Sequence, residues 1–365
     1  MKLFYCPLES YRERYTYFLS SPNGWAESWF NEYFIDFVRV SGIPQSGQIN
    51  VGSVLDAYGR SLYSMSQMET MVSMIRDGHV KDGDVVYVED FWTPGVESLF
   101  YIRQLTGIKF KVATFCWAQS IDDTDFTYSM RNWLAPMEVG MSRAYDYIFF
   151  ASSILTDLAE KAGWEARHCH KVGLPYHSQR LQQQLSGMGF VPEEKEDFVL
   201  FASRFDSEKN PHFFLDLVEL CPDIAFKLAK PRKHLTNDPT VQERVDELLL
   251  TRNNLEVVDT SDKLDYYSLL SRAKVLFNCA KQDWVSFVLL DGITFDCNPL
   301  FPCHKDFPWE LRGFPDHIYA NEDRQDACER LRKLMTKPFD PLLKQVVDRH
   351  DASWKEALEV MGFLT

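Results

Sequence analysis

Four charged residues stand where their types and spacing could do chemistry. The segment QDWVSFVLLD sets Asp283 and Asp291 eight residues apart at the edges of an almost wholly apolar run. One reading is a core helix with an acid near each end, since buried charge is costly and edges are where acids belong. The other is a ligand site. Ser286 suits a helix N-cap, and the backbone N–H groups of Ser286, Phe287 and Val288 would then face an anion. An acid inside the helix, Asp291, can accept two hydroxyl hydrogen bonds from a ribose, and one on the preceding loop, Asp283, can orient a sugar. Arg204 and Lys209 lie in RFDSEKNP, directly after the apolar run FVLFAS. Fixed cations at the end of a strand can clamp a diphosphate. The plain alternative is a solvated charged turn, with Pro211 starting the next helix.

Other residues carry weaker signals. Asp122, Asp123 and Asp125 sit in FCWAQSIDDTDF. They read as a solvated acidic turn, as acids that bind or deprotonate an acceptor, or as a metal-holding cluster, and the bare spacing favours metal least. The basic run Lys227, Lys230, Arg232, Lys233 and His234 is a solvated turn, or else Lys230 touches a phosphate. Near the N-terminus, YRERYTYFL interleaves Arg12 and Arg14 with Tyr11, Tyr15 and Tyr17, a mixture suited to stacking a ring and holding a phosphate, or to packing on its own sheet. His168, Cys169 and His170 alternate on a strand and fit no common zinc spacing. Gly187 and Gly189 follow no strand, which speaks against a dinucleotide fingerprint.

The elements that must position these residues follow from the periodicity. Short apolar runs at 3–6, 34–40, 84–90, 110–117 and 145–152 alternate with helix-length segments, and a second such series has strands at 198–203, 225–229, 255–259, 274–280 and 299–303. This pattern predicts an α/β protein with two doubly wound, Rossmann-like parallel sheets facing a cleft, with ligands at the carboxyl ends of the strands. The expected organisation is an acceptor-side domain over 1–175, a linker over 176–197, a second domain over 198–340 and closing helices over 341–365. At 365 residues the chain is long enough for two such cores.

With 39 basic and 53 acidic residues the net charge is −14, which disfavours a surface that coats nucleic acid generally. Eight scattered cysteines without a CxxC spacing read as reduced thiols in a cytoplasmic protein. No window is apolar enough to span a membrane, and none reads as a secretion signal.

The strand, the Arg/Lys loop, and the later strand followed by two acids resemble the nucleotide-sugar domain of GT-B glycosyltransferases, especially the retaining kind of family 4. That family reads Glu-Gly-Phe-Gly-x4-Glu-Ala and then Gly-Cys-x-Pro. This chain has Asp283-Trp-Val-Ser286-x4-Asp291-Gly292, then Asp296-Cys297-Asn298-Pro299. The spacing matches; each Asp shortens an arm by one methylene, and Ser286 replaces a glycine. The resemblance covers about 198–310. It implies that Asp283 contacts the donor sugar, Asp291 the ribose, and Arg204 and Lys209 the diphosphate. Ser286, Phe287, Val288 and Lys230 complete the expected donor set.

The first domain resembles the family in architecture alone. It lacks the Gly-Gly loop after the first strand and the His after the fourth. Its acceptor candidates are Glu9, Arg12, Arg14, Tyr15, Trp117 and Asp125, with Asp122 and Asp123 as candidates for catalysis. The implied activity is sugar transfer from a UDP- or GDP-sugar with retention, and with no metal or other cofactor. The general build is similar to phage-type enzymes that glycosylate modified bases, so the expected acceptor is a hydroxylated base in DNA. A small-molecule or glycan acceptor, or a module that binds sugar nucleotides without turnover, is the alternative.

Overall fold

The computed structural model of the chain describes residues 1–11, 16–45, 57–117 and 119–364. It divides into two compact units, Met1–Pro175 with Ala352–Thr365, and Tyr176–Asp351.

In the first unit, strands β1 (Leu3–Cys6), β2 (Phe37–Arg39), β3 (Val85–Val88), β4 (Lys111–Cys116), β5 (Tyr147–Phe150) and β6 (Cys169–Lys171) form one parallel sheet in the order β2-β1-β3-β4-β5-β6. The runs LFYC and VVYV are buried along their whole length. Helices cover both faces of such a strand, which is why its sequence is continuously apolar rather than alternating. Crossover helices include Trp25–Glu32, Ala57–Arg76 and Glu97–Thr106. The strand order reverses between β1 and β3, so the loops after those two strands diverge and leave a crevice at their carboxyl ends.

A late segment completes this core. Helix Ser353–Val360 brings Trp354 against Trp29, Phe30 and Tyr87, with ring centroids 5.6, 5.1 and 5.0 Å apart.

The second unit has strands β7 (Glu196–Phe201), β8 (Ala225–Lys230), β9 (Leu255–Asp259), β10 (Ala273–Phe277), β11 (Asn298–Pro302) and β12 (Ile318–Tyr319), also parallel, in the order β12-β11-β10-β7-β8-β9. Here the order reverses between β7 and β10. One face is filled by Phe201, Phe205, Phe213, Phe214, Phe226 and Phe277, all buried. Each contributes about 1.5–3 kcal/mol by leaving water. Residues 176–197 contain helix Ser178–Gly187, whose Leu181 and Leu185 are buried. Ser178 N–H donates to the Asp351 carboxylate at 2.8 Å, so the two points where the chain crosses between units are tied within the second.

The cysteines require a correction. Cys221, the residue that follows helix Pro211–Leu220, and Cys328 of helix Arg324–Met335 form a disulfide, whereas scattered spacing predicts eight reduced thiols. The partners are 107 positions apart, and only the packing of their helices brings them together. The remaining six are free, and only Cys303 among them is exposed. No described helix is long and apolar enough to cross a membrane.

Candidate functional site

The crevice of the second sheet lies outside the ends of β7 and β10, and the candidate donor residues are grouped there. After β7 the chain turns through the short helical segment Ser207–Lys209, and Asn210 takes the left-handed conformation at φ 56° before Pro211 opens the next helix. Asparagine tolerates that backbone better than a bulkier residue, and proline at the first helical position has no N–H to waste. The turn sends Lys209 inward, where its ammonium pairs with Asp283 of the loop after β10. The two loops are also joined through the main chain, Lys281 N–H donating to Glu208 O at 3.0 Å.

Arg204 reaches Asp206 at 3.0 Å and Glu208 at 2.8 Å. Arg232, from the loop after β8, takes the other oxygen of the same Asp206 carboxylate. Lys230 instead pairs with Asp259 at the end of β9, 3.2 Å away. The basic run thus delivers Arg232 to the Arg204 cluster and directs Lys230 to the neighbouring strand end.

Ser286 caps helix Phe287–Thr294 with its hydroxyl, which accepts from Val288 N–H at 3.2 Å. One of the helix's free donors is therefore already used. The helix lies close on β10: a Cβ at Gly292 would stand 2.3 Å from Leu276 Cδ2. Asp296, where the resembling motif carries glycine, keeps a left-handed φ of 60° and pairs with Lys344 at 2.7 Å.

Asp291 sits inside this helix, 7% exposed. Its Oδ1 accepts from the Tyr176 hydroxyl at 3.0 Å and its Oδ2 from the Tyr266 hydroxyl at 3.2 Å. Burial pushes its pKa up to about 6, against the lowering effect of those hydroxyls and of Lys263. The loop after β11 braces the Asp283 loop from the other side. Lys305, itself at φ 50°, donates to Gln282 O at 2.6 Å and lies 4.3 Å from the Trp284 ring centroid. Sequence reasoning missed Asp206, Trp284, Lys305, Tyr176 and Tyr266. The basic run did signal Arg232, though not its partner.

The first unit has its own crevice at the ends of β1 and β3. Glu89, buried at the end of β3, accepts from Tyr5 hydroxyl at 2.6 Å, Ser20 hydroxyl at 2.5 Å and Leu8 N–H at 2.7 Å. Burial raises its pKa despite these donors. Asp90 beside it forms an ion pair with Arg60. Trp117 donates its indole N–H to Glu89 O at 2.9 Å. Glu9 accepts from Tyr11 hydroxyl and Gln45 N–H, each at 2.6 Å.

The acidic loop after β4 is mostly spent on its own turns. Asp122 accepts from Thr124 N–H at 3.0 Å, and Asp125 from Thr127 N–H at 2.8 Å; both are buried, whereas Asp123 is exposed. Such local carboxylate bonds are what short Asp-rich turns commonly do. Among the described residues no group of three His, Cys, Asp or Glu side chains is placed to hold a metal ion. Arg12, Arg14 and Tyr15 lie outside the described residues.

Neither a family model nor a curated protein sequence matches the chain. Solved structures do share its fold. Sucrose-phosphate synthase of Thermosynechococcus elongatus has a TM-score of 0.62 at 12% identity, covering 100% of this chain and 98% of that one. HepE of Anabaena, solved in complex with UDP-glucose, has a TM-score of 0.59 at 11% identity over 99% and 100% of the two chains. A glycosyltransferase from Rickettsia africae has a TM-score of 0.58 at 10% identity over 99% and 97%. Two six-stranded parallel sheets with flanking helices thus give this chain the GT-B fold of these glycosyltransferase structures.

Proposed function

We propose that the chain transfers a sugar from a nucleoside-diphosphate sugar to an acceptor hydroxyl, with the donor in the β7/β10 crevice. The observation that carries this reading is the meeting of Lys209, Arg204 and Asp283 at the reversal of strand order, beside the capped start of helix Phe287–Thr294. That HepE was solved with UDP-glucose supports a UDP-sugar as donor.

In this reading the diphosphate gives Lys209 an anionic partner other than Asp283, and Asp283 is left to accept hydroxyl hydrogen bonds from the sugar. The bond between the anomeric carbon and the β-phosphate oxygen breaks, a bond from that carbon to the acceptor oxygen forms on the same face, and the acceptor proton passes to the departing phosphate. Configuration is retained. Arg204 and Lys209 stabilise the charge that develops on the leaving group, the work a metal ion performs in other phosphate sites. Asp291 receives ribose hydroxyls on lone pairs not taken by its tyrosines.

A hydroxylated base in DNA is the acceptor that the Arg/Tyr loop favours. A glycan or small polyol is the second reading, favoured by the net charge of −14, which opposes binding of a polyanion.

The test is transfer from UDP-glucose and GDP-mannose to each acceptor class, with product configuration read by NMR. Lys209→Ala and Arg204→Ala are each expected to lower turnover at least 100-fold without changing the melting temperature by more than a few degrees. Full activity in either variant would sink the donor assignment. Duplex binding that weakens with salt separates the two acceptor readings.

A further inference from the structure

We propose that the chain pairs with a second copy of itself through the outer face of three helices of the first unit, Ala57–Arg76, Glu97–Thr106 and Arg131–Ser142. The inference stands apart from the donor-site reading. These helices lead into β3, β4 and β5 in turn, each crossing the sheet in the same direction, so right-handed connections lay all three on one side of it. The first packs on the second. Each helix turns apolar residues inward, with Met68, Leu99 and Leu134 buried. Each also carries a second apolar pair, about one turn apart, on its outer side: Leu62 and Met65, Tyr101 and Leu105, Trp133 and Met137. These six residues are 42–68% exposed, so the fold of a single chain leaves much of their surface in water.

Area and charge together name the occupant. At about 200 Å² for a large side chain, the six expose roughly 700 Å². The largest apolar patch of a monomer is usually about 300–600 Å², whereas each partner of a stable interface gives up about 800 Å². The three helices carry seven charged residues. Arg60 and Arg103 are paired with Asp90 and Asp146, and Glu138 is buried. The exposed ones are Glu69, Arg76, Glu97 and Arg131, two of each sign. The chain as a whole carries −14, so two copies repel over most of their surface and meet at least cost where charge balances. An isologous contact, in which both copies offer the same patch, needs no further partner. The face has no excess of cations to hold it on an anionic lipid surface.

The test is sedimentation velocity of the full chain over a range of low micromolar concentrations at physiological salt. Wild type is expected at twice the chain mass of 42.6 kDa. Leu105→Glu and Trp133→Glu are each expected to leave a monomer with an unchanged melting temperature, because two-fold symmetry would bring every added carboxylate into the contact twice. Leu250→Glu, at an equally apolar and 88% exposed position of the second unit, is expected to leave the dimer intact. If Leu105→Glu does not fold, Leu105→Gln serves in its place and is expected to weaken association at least tenfold. A wild-type chain that is monomeric throughout the range overturns the inference. So does a dimer that survives both glutamate substitutions, since its contact then lies elsewhere. A monomer that co-sediments with phosphatidylcholine vesicles overturns it as well and gives the face to lipid.

Discussion

Replacing Asp291 with Asn isolates the energetics of one buried acid. Burial moves the Asp291 pKa from 3.8 to about 6. At about 1.4 kcal/mol per unit, the ionised carboxylate costs the folded state about 3 kcal/mol relative to the unfolded one. The sign follows from proton counting. Between pH 4 and 6 the folded chain holds a proton that the unfolded chain has lost, so stability falls as pH rises through this window. Below the unfolded value the cost is absent, and above about 6 it is fully present. Asn carries no charge at any of these pH values, so Asp291→Asn lacks this particular dependence. Hydrogen exchange of wild type and variant, compared at each pH on peptides spanning Phe287–Thr294, reads the second unit alone and cancels the intrinsic exchange rate. The ratio of protection, variant over wild type, is expected to grow roughly a hundredfold from pH 4 to pH 7, since each factor of ten is about 1.4 kcal/mol. A ratio that stays constant over this range would refute the argument, because the tyrosine hydroxyls would then fully offset the burial of the charge.

Two further outcomes are expected. Trp354→Ala removes a ring packed on Trp29, Phe30 and Tyr87, and should destabilise the first unit by about 3–5 kcal/mol while leaving exchange protection of the second unit unchanged. Thiol titration of the unfolded chain should count six reactive cysteines without reductant and eight with it; eight in both conditions would remove the Cys221–Cys328 bond.

The elements were legible because each carries its own local pattern. Apolar runs such as LFYC and VVYV alternate with helical segments, and Pro211 marks the start of a helix through its missing N–H. Ser286 could be read as a cap because capping depends on residues two positions away. What escaped the sequence depends on distant partners. Nothing near Asp291 tells that Tyr176, 115 positions earlier, occupies one of its oxygens. Lys230 and Arg232 are nearly equivalent as a sequence pattern. Their fates differ because Lys230 ends β8 and meets Asp259 at the end of neighbouring β9, whereas Arg232 lies in the loop beyond and meets Asp206 of the loop after β7. The acidic loop after β4 shows the opposite failure: carboxylates that look available for chemistry are consumed by Thr124 and Thr127 only two residues on.

The return of helix Ser353–Val360 to the first unit bears on how the chain is made. Synthesis proceeds from the N-terminus, and domains generally fold as units as they emerge. Here the β1–β6 sheet is finished long before Trp354 exists, and the whole of Tyr176–Asp351 must be translated in between. The surfaces of Trp29, Phe30 and Tyr87 that Trp354 covers therefore stay open on the nascent chain until the second unit has been made. The first unit to be born is the last to close.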